Sequence, residues 1–220
     1  MFLSLEDLLQ ASEVKRLLEI ADTVRFVDGR MSNPGSNVKH NLQAEQGDPL
    51  YQESAQIVRQ AIFRSLSIRD FCQPETLAAP MICKYEPGMH YGRHVDAALL
   101  NTQPPARSDV SCTVFLSDPD SYEGGELSIE LGQEIVDIKG KPGEAILYPS
   151  TLFHQVKPIK SGQRIVSIMF MQSSIRDPAK RDILFTLANF INREYGNIDE
   201  ASRMELEFVR NNLMRMWHGN

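Results

Sequence analysis

The sequence predicts an α+β fold in which helices flank a core of short antiparallel strands. Three observations carry this. Apolar residues recur at helical spacing before residue 77, eight short strand-like runs separated by turn residues follow, and helical spacing returns after Pro178. The chain accordingly divides into an N-terminal helical region at 1–76, a β core at 77–174 and a C-terminal helical extension at 175–220. Many short strands at regular intervals point to a sandwich or barrel rather than a parallel sheet.

In order along the chain, Leu5, Leu8, Leu9, Val14, Leu17, Leu18 and Ala21 share one helical face, with Ser4 as the expected N-cap. A loop rich in Gly, Asn and Ser follows at 29–37. Ile57, Val58, Ala61, Ile62 and Leu66 mark a second helix over 49–67. Strands are predicted at 78–85, 90–95, 110–116, 126–130, 134–138, 144–148, 153–156 and 164–171, punctuated by Pro87-Gly88, Gly124-Gly125, Gly132, Pro142-Gly143 and Ser161-Gly162. Gly124-Gly125 reads as hairpin turn chemistry. In the tail, Ile183, Leu184, Leu187, Phe190 and Ile191 form one helical stripe, and Leu206, Val209, Leu213 and Trp217 another. The Trp217 tail either closes the sheet edge or pairs with a second subunit as a homodimer.

Composition narrows the function classes. A net charge of −6 with no dense Lys/Arg run disfavours a nucleic-acid partner. Cys72, Cys83 and Cys112 have no paired spacing and read as reduced thiols, which excludes a disulfide scaffold. Acidic residues interrupt 1–20, so no signal peptide is expected, and no stretch reaches the length of a membrane span. A cytoplasmic location is the expectation.

The chemistry begins at His94 and Asp96. Two residues apart on an extended backbone, they present an imidazole and a carboxylate to one side. Alone the pair is weak, since it arises by chance in roughly one chain in three of this composition. His154 in a later strand supplies a third donor, and two His plus one carboxylate match the ligand set of non-haem Fe(II) oxygenases. Arg164 opens the apolar run Ile165 to Phe170, where a charge needs a reason. An internal ion pair is one reason, and a two-pronged grip on a substrate carboxylate is another.

Taken jointly, the motifs resemble a known family. Tyr85, Gly88, Tyr91, His94 and Asp96 at fixed spacing, then Gly124-Gly125-Glu126-Leu127, then His154 and Arg164 ten residues on, look like the prolyl-4-hydroxylase-type 2-oxoglutarate oxygenases. Length and helical tail are more similar still to the bacterial PKHD-type hydroxylases. The resemblance implies a double-stranded β-helix, or jelly-roll, with N-terminal helices packed on it. It implies Fe(2+) held by His94, Asp96 and His154, with 2-oxoglutarate as co-substrate anchored by Arg164 and faced by the Tyr85 phenol. Dioxygen would be the second co-substrate and L-ascorbate the reductant that rescues oxidised iron. Tyr91 is expected at the substrate entrance, and His90, on strict alternation, beside the site. Phe115 stands where related enzymes place a tyrosine, which leaves Thr113 as a candidate hydroxyl for the oxo-acid. The implied reaction is hydroxylation of a peptide, or of a small molecule related to siderophores and iron acquisition. A non-catalytic metal- or oxo-acid-sensing module and a zinc hydrolase are the rival readings.

Overall fold

A computed structural model describes residues 2–219. Its strands begin with β1 (Leu3–Leu5), β2 (Phe26–Asp28), β3 (Lys39–His40), β4 (Leu42–Ala44), β5 (Pro74–Leu77), β6 (Met81–Tyr85), β7 (His90–His94), β8 (Leu99–Leu100) and β9 (Ala106–Arg107). They continue with β10 (Val110–Phe115), β11 (Glu123–Gly124), β12 (Leu127–Leu131), β13 (Glu134–Ile138), β14 (Ala145–Pro149), β15 (His154–Val156), β16 (Ile159–Ser161) and β17 (Arg164–Ser173). The helices are α1 (Ala11–Thr23), α2 (Pro49–Arg64), α3 (Leu66–Cys72), α4 (Pro178–Arg193) and α5 (Glu200–Trp217).

Two antiparallel sheets form the core. The larger runs β1-β14-β10-β17-β6-β4-β2, with β5 pairing the far end of β17, and the smaller runs β13-β12-β15-β7-β3. β10 lies near the centre of the larger sheet and all six of its residues are buried, so it reads as an unbroken run rather than an alternation. The outer face of this sheet packs on the helices: Cys112, Val114, Leu147, Met169 and Met171 meet Leu17, Ile20, Val58, Ile62 and Ile68. Leu17, fully buried there, contributes on the order of 2 kcal/mol through lost apolar exposure. Between the sheets, Cys83, Phe115, Ile146 and Val166 meet Leu127, Ile129 and Val156. This is the double-stranded β-helix that the resemblance implies, with helices on one side only.

All eight predicted strands of the core are present. The N-terminal region differs from expectation. Leu3–Leu5 is an edge strand, paired as Leu3↔Leu147 and Leu5↔Ala145, so Ser4 caps no helix. The helix begins only at Ala11, where the Gln10 backbone N–H donates to Glu13 at 2.8 Å. An open sheet edge outcompetes a helical pattern whose first turn has little propensity to defend it. The second predicted helix breaks at Ser65, whose hydroxyl accepts from the Ile68 N–H at 3.3 Å and starts α3. Both tail helices are present, each started by an Asp cap at Asp177 or Asp199. An ion pair from Arg210 to Asp70, 2.6 Å, ties α5 to α3.

Candidate active site

The site is built where β7 meets β15. His94 pairs with His154, but the next pair is Tyr91 with Val156, so three steps along β7 match two along β15. The extra residue is a β-bulge, and it inverts the alternation on its far side. Tyr91 therefore returns to the same face as His94 and stacks on its ring, with centroids 3.5 Å apart at 10°. His90 turns away and sits against His40, 4.8 Å between rings, in a groove of its own. The expectation that His90 neighbours the ligands is thus corrected. Gly92 sits in the bulge, where a Cβ would approach Val38 Cβ to 2.9 Å, so a side chain would push β3 off β7.

Asp96 lies two residues past the end of β7. Its Oδ2 accepts from the Ser111 hydroxyl at 2.5 Å. Ser111 in turn contacts Ser150 at 2.8 Å, and Ser108 donates to Ser150 at 2.9 Å. Because a carboxylate only accepts, the serines polarise in one direction, Ser108 to Ser150 to Ser111 to Asp96. This chain orients the carboxylate from the larger sheet.

Both imidazoles are oriented by backbone carbonyls. His94 Nδ1 lies 2.8 Å from Gly92 O, and His154 Nδ1 lies 3.0 Å from Leu152 O. A carbonyl cannot donate, so each Nδ1 carries the hydrogen and each Nε2 presents a lone pair. The Nε2 atoms lie 3.9 and 3.6 Å from the Asp96 oxygens, and one donor atom from each of the three residues falls within 4.8 Å of the others. These separations exceed hydrogen bonds yet are short enough for one ion to bridge at about 2 Å per bond. Burial, with His154 adding to it, lowers the His94 pKa to about 4, so the ring is neutral and ready to ligate. Burial also raises the Asp96 pKa, an effect opposed by His154 and Ser111.

The triad shares one cavity of about 340 Å³ with Arg164, Tyr85, Thr113 and Tyr148. Arg164, the first residue of β17, is 1% exposed, and its Nε and Nη1 have no hydrogen-bond partner. Among the described residues no carboxylate pairs with it, which removes the internal ion pair as an explanation. Its cross-strand partner is Tyr85, whose ring lies 5.2 Å from the guanidinium carbon, with Phe115 at 5.9 Å. Tyr122 lies beside the Arg164 side chain at Gly125. Gly125, at φ +69°, clears the way for the Arg164 stem: a Cβ there would stand 3.1 Å from Arg164 Cδ and 2.3 Å from Ile159 Cδ1. Gly124-Gly125 accordingly sits in the β11–β16 ribbon and not at a hairpin tip.

Comparison with known proteins agrees with this architecture. Residues 80–172 match the 2OG-Fe(II) oxygenase superfamily. A PKHD-type hydroxylase of Sphingopyxis alaskensis is 41% identical over 97% of this chain and 98% of its own length. The chain belongs to the PKHD-type hydroxylases. It is therefore a 2-oxoglutarate-dependent hydroxylase, an oxidoreductase that uses iron, 2-oxoglutarate and dioxygen, which sets aside the sensing-module and zinc-hydrolase readings. Two more distant structures share the fold. A Trichoplax adhaerens prolyl hydroxylase in complex with a hypoxia inducible factor peptide fragment has a TM-score of 0.57 at 19% identity, covering 78% of this chain and 83% of that one. HygX from Streptomyces hygroscopicus with nickel, 2-oxoglutarate and hygromycin B has a TM-score of 0.55 at 16% identity, covering 79% and 83%.

For this PKHD-type chain, the structure brings His94, Asp96, His154, Arg164, Tyr85, Tyr91 and Thr113 to one cavity. The sequence reading missed Ser111, Tyr148, Tyr122 and Lys39. Ser111 and Tyr148 had a usable signal, since each lies an even number of residues from an inward-facing neighbour on its strand, Thr113 and Ile146 respectively. Tyr148 packs edge-on to His154 at 5.1 Å, and burial holds its phenol protonated well above the ordinary range. Thr113 lines the cavity beside this phenol. Tyr122 and Lys39 had no local signal.

Proposed function

We propose that His94, Asp96 and His154 hold Fe(II) through Nε2, a carboxylate oxygen and Nε2, and that Arg164 anchors the distal carboxylate of 2-oxoglutarate. The observation that carries this is a buried guanidinium with two unpartnered nitrogens in the same cavity as three converging donors. A dianionic oxo-acid fits that arrangement, because it supplies the acceptors that the protein does not. When bound, iron and 2-oxoglutarate supply the oxidising chemistry, in which dioxygen is spent on decarboxylating the oxo-acid and hydroxylating the substrate.

The protein's own part is positional. The Gly92 and Leu152 carbonyls fix the tautomers, and the serine chain aims Asp96. Tyr91 holds the His94 ring in place by stacking. Tyr85 and Phe115 flank the guanidinium and exclude water from it, while Gly125 and Tyr122 set where its stem runs. Tyr148 stays neutral and offers a phenol beside His154.

The test is anaerobic visible spectroscopy of metal-free protein given Fe(II), with 2-oxoglutarate added last. A charge-transfer band is expected, lost in His154→Ala and weakened in Arg164→Ala. Iron binding without any band would overturn the assignment.

Ascorbate enters this scheme as an external reductant, supported by the reaction class, and would extend the number of turnovers before inactivation. No described helix is long and apolar enough to cross a membrane, and all three cysteines are free and buried, which supports a cytoplasmic location. Helix α5 buries no residue while Met204, Phe208 and Met216 are exposed, which supports a homodimer through the tail. A monomeric mass by light scattering would exclude it. The proposed substrate is a peptide or a small molecule related to siderophores, and the fold carries both kinds of ligand in the neighbours above, a peptide fragment in one and hygromycin B in the other.

A further inference from the structure

Lys39, in β3, lines the same cavity as the triad and Arg164, yet the chemistry proposed above does not use it. It is 4% exposed. Its ammonium donates to Ser32 Oγ at 2.7 Å and lies 5.3 Å from the centroid of Tyr91, the ring stacked on His94. Asn33 donates to the Tyr91 phenol at 3.2 Å and lines the cavity beside Ser32. An ammonium carries three donors, and one neutral hydroxyl satisfies only one of them. Among the described residues no carboxylate lies within ion-pair distance of it. A lysine is seldom this buried without a counter-charge, and an apolar side chain of similar length would fill the position at less cost.

The charge balance of the cavity points the same way. Its basic and acidic side chains, the two imidazoles aside, are Arg164, Lys39 and Asp96, so cationic groups exceed carboxyl groups by one, and burial lowers the Lys39 pKa, the mark of a charge held without a partner. A divalent metal and a doubly negative oxo-acid cancel each other. One positive charge is left over when both co-substrate and metal are in place, and it resides on the lysine and not on the arginine, which the oxo-acid neutralises. A buried, uncompensated charge is costly, and a bound anion relieves it.

We propose that the substrate of this hydroxylase carries a carboxylate, received by Lys39 with Ser32 and Asn33 beside it, which presents the rest of the molecule to the metal. The inference rests on the site reading above and adds the chemical class of the substrate to it. Lys39 is in this view a specificity residue, outside the grip on 2-oxoglutarate.

The test uses the full chain loaded anaerobically with Mn(II) and saturating 2-oxoglutarate. Hexanoate is the probe and hexanamide its neutral counterpart. Paramagnetic relaxation of the probe's protons reports binding near the ion without any turnover. Saturable relaxation is expected for hexanoate, and none for hexanamide over the same concentrations. Lys39→Met should weaken hexanoate by roughly ten- to a hundredfold, the loss of one charge-assisted contact, while Lys39→Arg keeps most of it. Relaxation of the 2-oxoglutarate protons should be the same in all three proteins. Should Lys39→Met fail to fold, Lys39→Gln, which keeps a donor but no charge, gives the same comparison. Equal hexanoate binding in the uncharged variant, or equal binding of the amide by the wild type, would overturn the inference while leaving the site reading intact. Absence of Mn(II) or 2-oxoglutarate binding in the wild type would overturn the site reading and this inference with it.

Discussion

Replacing Arg164 by methionine separates a structural arginine from one kept for a ligand, because the two roles demand opposite changes in stability. In the metal-free protein, Nε and Nη1 are sealed from solvent without a partner. Each such donor costs about 1–3 kcal/mol, so removing both returns about 2–6 kcal/mol. Against this stands the lost cation–π contact with Tyr85 at 5.2 Å, worth about 1–2 kcal/mol. The metal-free variant should therefore be as stable as the wild type or more so, by up to about 5 kcal/mol. Its affinity for 2-oxoglutarate should fall by about 10²–10⁴-fold, the loss of two charge-assisted hydrogen bonds. Urea unfolding reads the first quantity as a shift in midpoint at constant slope, and calorimetric titration of the Mn(II)-loaded protein reads the second. A variant destabilised by more than about 1 kcal/mol that still bound the oxo-acid normally would show that the guanidinium is a structural group, and would refute the reasoning.

Other perturbations follow from the same geometry. Ser111→Ala removes the donor to Asp96 Oδ2 and should weaken metal binding by about tenfold or more, with Ser111→Thr restoring it; an unchanged metal affinity would show that the serine chain is idle. Gly125→Ala forces a Cβ against Ile159 and the Arg164 stem at a left-handed φ and should cost about 1–3 kcal/mol, read by urea unfolding, together with weaker oxo-acid binding. The buried His94 ring titrates at about 4 when folded against an ordinary 6.5, so between these values the unfolded chain binds the extra proton. Stability of the metal-free protein should thus fall as pH drops from 6.5 to about 4, by up to about 3 kcal/mol more than in His94→Gln. Parallel stability profiles for the two proteins would contradict the burial of that ring.

Much of the core was legible because its signals are local. Period-two runs bounded by Gly and Pro are visible one strand at a time, and each of the eight predicted core strands is present within a few residues of its expected bounds. The donors were legible for the same reason: His94 and Asp96 are two residues apart, and Arg164 opens an apolar strand. The short strands β1 to β5 were not. Each has two to four residues and exists because a partner edge is available, and nothing within such a segment announces that edge.

The sequence by itself determined which groups are available for chemistry, two imidazoles, a carboxylate and a buried guanidinium, together with the antiparallel architecture that carries them. Only the tertiary structure decided which side chains face the cavity. The bulge in β7 gives Tyr91 rather than His90 to the site, because a register shift depends on the partner strand and reverses every alternation beyond it. Pairing of Lys39 with Tyr91 across β3 and β7 brings a second cation inward from a segment with no periodicity of its own. The room for the Arg164 stem depends on a glycine 39 positions earlier, on a ribbon formed only when the chain folds back. Such contacts are set by long-range packing, where a residue's neighbours in space share no spacing with it along the chain.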